Sequence, residues 1–203
     1  LAQACVRLSA RLIHVSTDYV FPGDDAHPGP YLEDAPVRPV NYYGATKLAG
    51  ELAIQAVCGD QIPWLIARTA LVYGHLPGGR TNFVRWLVGK LQAGDRVAIV
   101  NDQYNTPTLA DDLATALLAL VSRGTRGVIH LAGPDLLSRE QWARAVAAHF
   151  GLDDGLIDVV ATADLRQRAQ RPLRSGLRTS RPEDLAGVTL RGVRAGLAAL
   201  AIG

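Results

Sequence analysis

Apolar and polar residues along this chain follow two alternating patterns, one typical of buried strands and one typical of amphipathic helices. Short, mainly apolar runs bounded by polar residues predict strands at 12–15, 62–68, 97–100 and 127–132. Longer stretches with helical spacing predict helices at 41–57, 82–92, 109–121, 138–150 and 190–201, after a first helix that ends within 1–10. Strands that alternate with helices predict an α/β fold with a doubly wound parallel sheet.

Local signals refine some of these helices. Ser138 with Gln141 three residues later resembles a capping box at the start of the helix predicted at 138–150. Thr108, which follows a proline, is predicted to be the N-cap of the helix at 109–121. Gly44 and Gly50 lie inside the helix predicted at 41–57 although glycine lowers helix propensity. Their presence indicates close packing of this helix against another element.

Tyr43 and Lys47 stand four residues apart in the same predicted helix, so they share one face, one turn apart. A cation held beside a phenol favours the phenolate form, which makes the tyrosine a usable acid for a carbonyl undergoing reduction. Of the 21 basic residues, only Lys47 and Lys90 are lysines. On a surface helix this spacing is usually a solvated pair, so the interpretation depends on the surrounding sequence.

Three small polar residues follow the first predicted strand. Ser16, Thr17 and Asp18 come at its carboxyl end, and in open α/β sheets this edge is where ligands bind. They could also simply turn the chain, because such side chains readily bond to nearby backbone. Combined with Tyr43, the hydroxyl of Thr17 is expected to donate to the same substrate oxygen that the tyrosine protonates.

Four motifs occur in a fixed order along the chain. They are Ser-Thr-Asp-Tyr-Val-Phe at 16–21, Tyr-Gly-Ala-Thr-Lys-Leu-Ala-Gly-Glu at 43–51, Arg-Thr-Ala-Leu-Val-Tyr-Gly at 68–74 and Asn-Asp-Gln-Tyr-Asn-Thr-Pro-Thr at 101–108. Together they resemble the extended short-chain dehydrogenase/reductases, and within them the dTDP-4-dehydrorhamnose reductase branch. The resemblance runs from about residue 1 to about residue 177.

The resemblance implies a set of catalytic and cofactor roles. Tyr43 would be the proton donor, Lys47 would bind the nicotinamide ribose and tune Tyr43, and Thr17 would assist. Val15 and Ser16 would lie with Tyr43 and Lys47 against the cofactor, which is NADPH or NADH.

The resemblance also implies a substrate site made of Thr17, Asp18, Leu71, Asn82, Gln103, Thr108 and Arg171. Leu71 stands where reductases of this branch usually carry a tryptophan, and Arg174 replaces the usual asparagine. Arginines cluster at 166–181. This segment is either a solvated basic stretch or a clamp on a diphosphate, which the forked arginine donors suit.

The domain division follows from the same resemblance. Residues 1–74 and 109–132 would form the back half of a Rossmann-like NAD(P)-binding domain, and residues 75–108 and 133–203 a small substrate-binding lobe. The family's Gly-x-x-Gly-x-x-Gly turn, which binds the cofactor pyrophosphate, has no counterpart here, and the chain contains no methionine. We therefore expect an N-terminally truncated chain lacking roughly 80 to 100 residues, or two to three βα units.

Composition and charge bear on which partners, metal sites and membrane segments the protein could have. A net charge of +2 does not indicate a polyanion partner, and no aromatic residues interleave with the arginine cluster, so nucleic-acid binding is not expected. Two cysteines imply no disulfide framework, the five histidines lack metal-ligand spacing, and no apolar run approaches a membrane span. We expect a cytoplasmic protein with no metal, whose partner is a small sugar nucleotide, with a homodimer as an option.

The leading hypothesis is an NAD(P)H-dependent reductase of a nucleotide-linked 4-keto-6-deoxy sugar, such as dTDP-4-dehydrorhamnose, with Tyr43 as proton donor. A non-catalytic regulatory subunit, similar to the β subunit of methionine adenosyltransferase, is the alternative from another class. A sugar-nucleotide epimerase or dehydratase needs a second acid/base pair, and the residues after Asp18 do not supply one.

Overall fold

The computed structural model describes residues 1–75, 81–185 and 187–200. The helices are α1 (Ala2–Arg7), α2 (Tyr42–Cys58), α3 (Phe83–Gln92), α4 (Ala110–Ser122), α5 (Arg139–Phe150) and α6 (Val193–Ala198). The strands are β1 (Leu12–Thr17), β2 (Trp64–Thr69), β3 (Val72–Tyr73), β4 (Val97–Val100), β5 (Tyr104–Asn105), β6 (Thr108–Leu109), β7 (Gly127–His130), β8 (Leu137–Ser138) and β9 (Ile157–Val160). Helix α6 is shorter than the helix predicted at 190–201. Residue 201, the last residue of the predicted range, lies outside the described residues.

The main sheet has the strand order β1-β2-β7, and both pairings are parallel. Thr17 pairs with Thr69, and Arg68 pairs with His130, so the polar residues after each apolar run meet at one edge. This is the carboxyl edge at which the sequence predicted a site.

Helices cover both faces of this sheet. On one face Ile66 packs with Ile54 and Cys58 of α2. On the other, Leu65 and Ala67 pack with α4 residues Leu113, Ala116 and Leu120. Because neighbouring residues of a strand point to opposite faces, β2 is buried on both sides. The predicted doubly wound parallel architecture is confirmed.

A second core lies around Trp142, beside the main sheet. It joins α3, α5 and α6 to a parallel pair formed by β4 and β9. Strand β9 is not among the strands that the sequence predicts, because a four-residue run that contains an aspartate carries little strand signal without its partner. The predicted capping box is confirmed, with the Ser138 hydroxyl accepting from the backbone N–H of Gln141 at 3.0 Å.

The N-cap prediction at Thr108 is wrong. The residue before α4 is Leu109, which makes no side-chain cap. Thr108 belongs to β6, and its buried hydroxyl donates to the backbone oxygen of Thr106 and accepts from the N–H of Gly133, both at 3.3 Å. Within the described ranges, none of the helices has the length and apolar character needed to cross a bilayer.

A buried ion pair fixes α2 against the sheet. The Arg68 guanidinium donates to the Glu51 carboxylate from Nη2 at 2.7 Å and from Nε at 3.0 Å, and both side chains are almost fully buried. Glu51 lies one turn beyond Lys47, so the helix face that carries Tyr43 and Lys47 is also the face held by Arg68.

Candidate active site

The start of α2 places Tyr43 and Lys47 at the carboxyl edge of the sheet. Asn41 caps the helix, and its Oδ1 accepts from the backbone N–H of Gly44 at 2.8 Å. Lys47 reaches across to β1, where Nζ donates to the backbone oxygen of Val15 at 2.6 Å. The lysine is therefore held by the strand and is not a freely solvated surface cation.

Tyr43 projects into open space beside this lysine. Its side chain is 53% exposed, and its ring packs edge-on against the ring of Tyr19, with the centroids 5.7 Å apart. The exposed phenol is accessible to a ligand at the end of β1. This arrangement is what a proton donor to a bound carbonyl requires.

The predicted cofactor residues on β1 differ in their surroundings. Val15 is 42% exposed, so its side chain offers an open apolar surface. Ser16 is buried, and its hydroxyl has no hydrogen-bond partner among the described residues. A buried polar atom without a partner is uncommon and costs free energy, so this hydroxyl is suited to a ligand.

Thr17 and Asp18 are buried and bonded to each other. The Thr17 hydroxyl donates to Asp18 Oδ1 at 3.1 Å and accepts from the backbone N–H of Tyr19 at 3.2 Å. Asp18 Oδ2 accepts from the Asn105 amide at 3.0 Å and from the Ser175 hydroxyl. Burial raises the pKa of Asp18, and the hydrogen bonds from Ser175, Asn105 and Thr17 oppose that rise.

A cavity of about 240 Å³ opens next to Tyr19. Its lining includes Tyr19, Phe83, Trp86, Gln103, Arg139 and Arg171, and no aspartate or glutamate is among its described lining residues. A cleft with two cations, aromatic rings and no carboxylate suits an anionic ligand that carries a planar group.

The two arginines of this cleft are held by aromatic rings. The Arg139 guanidinium lies 4.8 Å from the ring centre of Phe83, and burial lowers the pKa of this side chain. Arg171 lies over Tyr19 at 5.8 Å and donates to the tyrosine hydroxyl at 3.2 Å. In the described part of the chain, no carboxylate forms an ion pair with either arginine, so both charges are available to a ligand.

Besides Arg171, Gln103 is the one predicted substrate residue among the described residues that line this cleft. Asn82 caps α3, with Nδ2 donating to the oxygen of Gly74 at 2.5 Å and Oδ1 accepting from the N–H of Arg85. Thr108 is buried in β6. Leu71 has a φ of 41°, in the left-handed region, and packs against the core around Trp142.

The arginines of the cluster at 166–181 make contacts in different parts of the structure. Arg171 lines the cleft, whereas Arg174 lies over the Tyr104 ring and pairs with Asp25. Arg181 donates to backbone oxygens of Arg126 and Val128. Of these three arginines Arg171 lines the cleft, so the segment does not form a single clamp there.

Sequence reasoning assigned no site role to Arg139, Asn105 or Ser175. Asn105 lies within the motif at 101–108 and Ser175 within the arginine-rich segment 166–181, but their link to Asp18 depends on the fold. Arg139 follows the capping serine of α5, and nothing in its local sequence indicates that it faces the cleft. Among the described residues, no three histidine, cysteine, aspartate or glutamate side chains converge as metal ligands.

Comparison with known proteins agrees with this geometry. The sequence matches the RmlD substrate binding domain family over residues 1–202. It is 43% identical over 203 residues to dTDP-4-dehydrorhamnose reductase of Mycobacterium tuberculosis, in an alignment that covers 98% of this chain and 64% of that protein. It is 38% identical over 173 residues to dTDP-4-keto-6-deoxy-D-glucose reductase of Streptomyces niveus, covering 83% of this chain and 58% of that protein.

A solved structure is also similar. The chain superposes on dTDP-4-dehydrorhamnose reductase from Bacillus anthracis in complex with NADP, with a TM-score of 0.87 and 27% identity, covering 97% of this chain and 67% of that one. The parallel sheet with a Tyr-x-x-x-Lys pair at its carboxyl edge defines a Rossmann-like protein of the short-chain dehydrogenase/reductase class. The chain belongs to the RmlD substrate binding domain family. It spans slightly less than two thirds of the length of the curated relative from M. tuberculosis.

Proposed function

We propose that this protein is an NAD(P)H-dependent reductase of a 4-keto-6-deoxy sugar linked to a nucleoside diphosphate, with dTDP-4-dehydrorhamnose as the first substrate to test. The relatives from M. tuberculosis and S. niveus are named as reductases of such dTDP-sugars, and the B. anthracis structure holds NADP.

One observation carries the proposal for this chain. Lys47 is held on the backbone oxygen of Val15 at 2.6 Å, while Tyr43, one helical turn away, presents an exposed phenol at the same edge of the sheet. A solvated surface pair would show neither the fixed lysine nor the shared ligand-binding edge. The arrangement is that of a tyrosine acid with a cation positioned behind it.

The residues at the end of β1 fit a nicotinamide cofactor. Val15 presents open apolar surface, the Ser16 hydroxyl lacks a partner among the described residues, and Lys47 and Tyr43 lie across from them. These four residues would hold the cofactor, which supplies the hydride when bound. Tyr43 would then give its proton to the oxygen of the reduced carbonyl, with the positive charge of Lys47 one helical turn away.

The cleft beside Tyr19 supports the choice of substrate. Tyr19 contacts both the Tyr43 ring and Arg171, so a single aromatic residue links the proposed acid to the cationic cleft. The keto sugar would lie at Tyr43 and the diphosphate would extend toward Arg171 and Arg139. Gln103 is the other predicted substrate residue that lines this cleft.

The test is an assay of the full-length protein for reduction of dTDP-4-dehydrorhamnose by NADPH or NADH. The reaction is monitored by the loss of the absorbance of the reduced nicotinamide. Tyr43→Phe should lower kcat by about 10²- to 10⁴-fold, the usual effect of losing a general acid. Tyr42→Phe is the matched control, because Tyr42 is the adjacent residue and is 85% exposed. Equal turnover by Tyr43→Phe and Tyr42→Phe would remove Tyr43 from the mechanism.

A further inference from the structure

A second cavity lies at the end of β7 and is separate from the cleft beside Tyr19. Its volume is about 470 Å³, and it shares no described lining residue with that cleft. Residues 132–134, which come soon after β7, form part of its lining. The volume falls within the range of roughly 300 to 1,000 Å³ that is usual for small-molecule sites.

The cavity lies between two apolar clusters of the protein core. On one side are Leu177 and Ala132, which belong to the cluster around Phe21. On the other side are Leu185 and Leu190, which belong to the cluster that packs against α4. An apolar group placed between the two clusters would be removed from water, which favours binding.

The walls of the cavity are held in place by contacts within the protein. The backbone N–H of Leu177 donates to the Thr106 hydroxyl at 3.0 Å. Gly176 packs so closely on Leu136 that a Cβ at this glycine would stand 2.9 Å from the leucine Cδ1. A ligand would therefore meet walls that are already ordered, which lowers the entropy cost of binding.

Arg178 is the one charged residue among the described residues that line this cavity. Its backbone is fixed, because the N–H donates to the oxygen of Tyr31 at 2.9 Å and the oxygen accepts from His130 Nδ1 at 3.2 Å. Its side chain is exposed, and within the described ranges no carboxylate forms an ion pair with it. A single guanidinium matches one carboxylate, whose two oxygens can accept from the two arms of the fork.

We propose that this cavity binds an amphipathic carboxylate, a small molecule with an apolar body and one carboxylate group. The apolar body fills the space between Leu177 and Leu185, and the carboxylate pairs with Arg178. Because the cavity and the cleft have separate linings, this inference does not rest on the proposed reductase function.

The test is calorimetry of the full-length protein with three probes, namely octanoate, octanol and acetate. Octanoate carries both the apolar chain and the carboxylate, octanol lacks the charge, and acetate lacks the chain. One octanoate should bind per protein chain, octanol should bind more weakly, and acetate should give no heat of binding. Octanol or acetate that binds as tightly as octanoate would overturn the proposal, and so would the absence of octanoate binding.

Two variants separate the charged and apolar parts of the site. Arg178→Ala should weaken octanoate binding on the order of tenfold and leave octanol binding unchanged, because it removes a charge-assisted hydrogen bond and no apolar wall. Ala132→Leu should weaken the binding of both probes, because the larger side chain fills the apolar space. Arg123→Ala is the control, since Arg123 is an exposed arginine outside the described lining of the cavity.

The Arg178 side chain is exposed, so Arg178→Ala should keep the wild-type melting temperature, and its octanoate affinity alone decides the outcome. An octanoate affinity that is the same in Arg178→Ala as in Arg123→Ala would overturn the proposal. Saturating dTDP should leave octanoate binding unchanged, because the cleft and the cavity share no described lining residue. Displacement of octanoate by dTDP would place the probe in the cleft and would also overturn the proposal.

Discussion

Gly44 lies directly against the backbone carbonyl of Tyr19, and a Cβ at this position would stand 2.2 Å from the Tyr19 oxygen. The contact brings the first turn of α2 onto the chain that leaves β1. Tyr43 precedes this glycine and Tyr19 follows Asp18, so the contact sets how the phenol faces the end of the strand. A glycine inside a predicted helix indicates close packing, and the structure confirms this prediction at Gly44.

Gly44→Ala should destabilise the protein and lower its activity. The obstructing atom is a backbone oxygen, which cannot move aside as a flexible side chain can, so we expect a cost of about 1 to 3 kcal/mol in the free energy of unfolding. Denaturant unfolding measures this cost, and the reductase assay reports the displacement of Tyr43.

Gly50→Ala is the matched control in the same helix. A Cβ at Gly50 would lie 3.6 Å from the ring of His14, an ordinary contact. Alanine also has the higher helix propensity, so this variant should gain about 0.5 to 1 kcal/mol. Equal effects of the two substitutions would mean that the Tyr19 contact does not constrain α2.

The sequence predicted the parts of this fold that depend on local patterns. The apolar runs of β1 and β2 and the helical periodicity of α2 can each be recognised within one short continuous segment of the sequence. The same is true of the four-residue spacing between Tyr43 and Lys47. The short strand β9 and the cleft residue Arg139 were missed for a shared reason. A strand of four residues is stabilised by a partner far along the chain, and the direction of an arginine depends on which element packs beside it.

The same limit applies to the predicted substrate residues. Asn82 and Thr108 are polar residues in suitable motifs, yet the structure uses the first as a helix cap and the second inside a strand pair. Polar residues that cap or turn the chain look the same in sequence as residues that bind a ligand. The contacts that such a residue makes, and not its residue type, show whether it caps or turns the chain or binds a ligand.

Lys47→Met should lower kcat/KM for the keto sugar by at least about tenfold. The substitution removes both the hydrogen bond to the backbone oxygen of Val15 and the positive charge one helical turn from Tyr43. Lys90→Met is the control, since Lys90 is the chain's other lysine and pairs with the exposed Asp95 at 3.0 Å. Steady-state kinetics at saturating NADPH would show the difference, and identical kinetics of the two variants would argue against a role for Lys47.

Arg139→Ala should weaken binding of dTDP by roughly ten- to a hundredfold, the range expected when a charge-assisted hydrogen bond is lost. Calorimetry with dTDP and with thymidine distinguishes the phosphates from the base, because only dTDP should be affected. Arg144→Ala on the same helix is the control, since Arg144 pairs with Glu140 and Asp154 outside the cleft. A loss that is equal for dTDP and thymidine would mean that Arg139 does not bind the diphosphate.

Salt should separate the two arginines of the cleft. Arg171 is exposed and Arg139 is half-buried, so added salt screens the first more strongly. The penalty of Arg171→Ala for dTDP binding should therefore shrink as salt is added, while that of Arg139→Ala should persist. Penalties with the same salt dependence would contradict this assignment.

Glu51→Gln should be strongly destabilising, by about 3 to 5 kcal/mol, because it leaves the buried Arg68 guanidinium without its charge partner. Asp95→Asn breaks an exposed pair with Lys90 and should change the free energy of unfolding by less than about 1 kcal/mol. Urea unfolding of both variants measures the contrast. Glu51 is fully buried and holds the helix face that carries Tyr43 and Lys47, so at temperatures where the variant is still folded the reductase rate should fall as well. A Glu51→Gln protein as stable as Asp95→Asn would show that the Arg68 pair does not anchor α2.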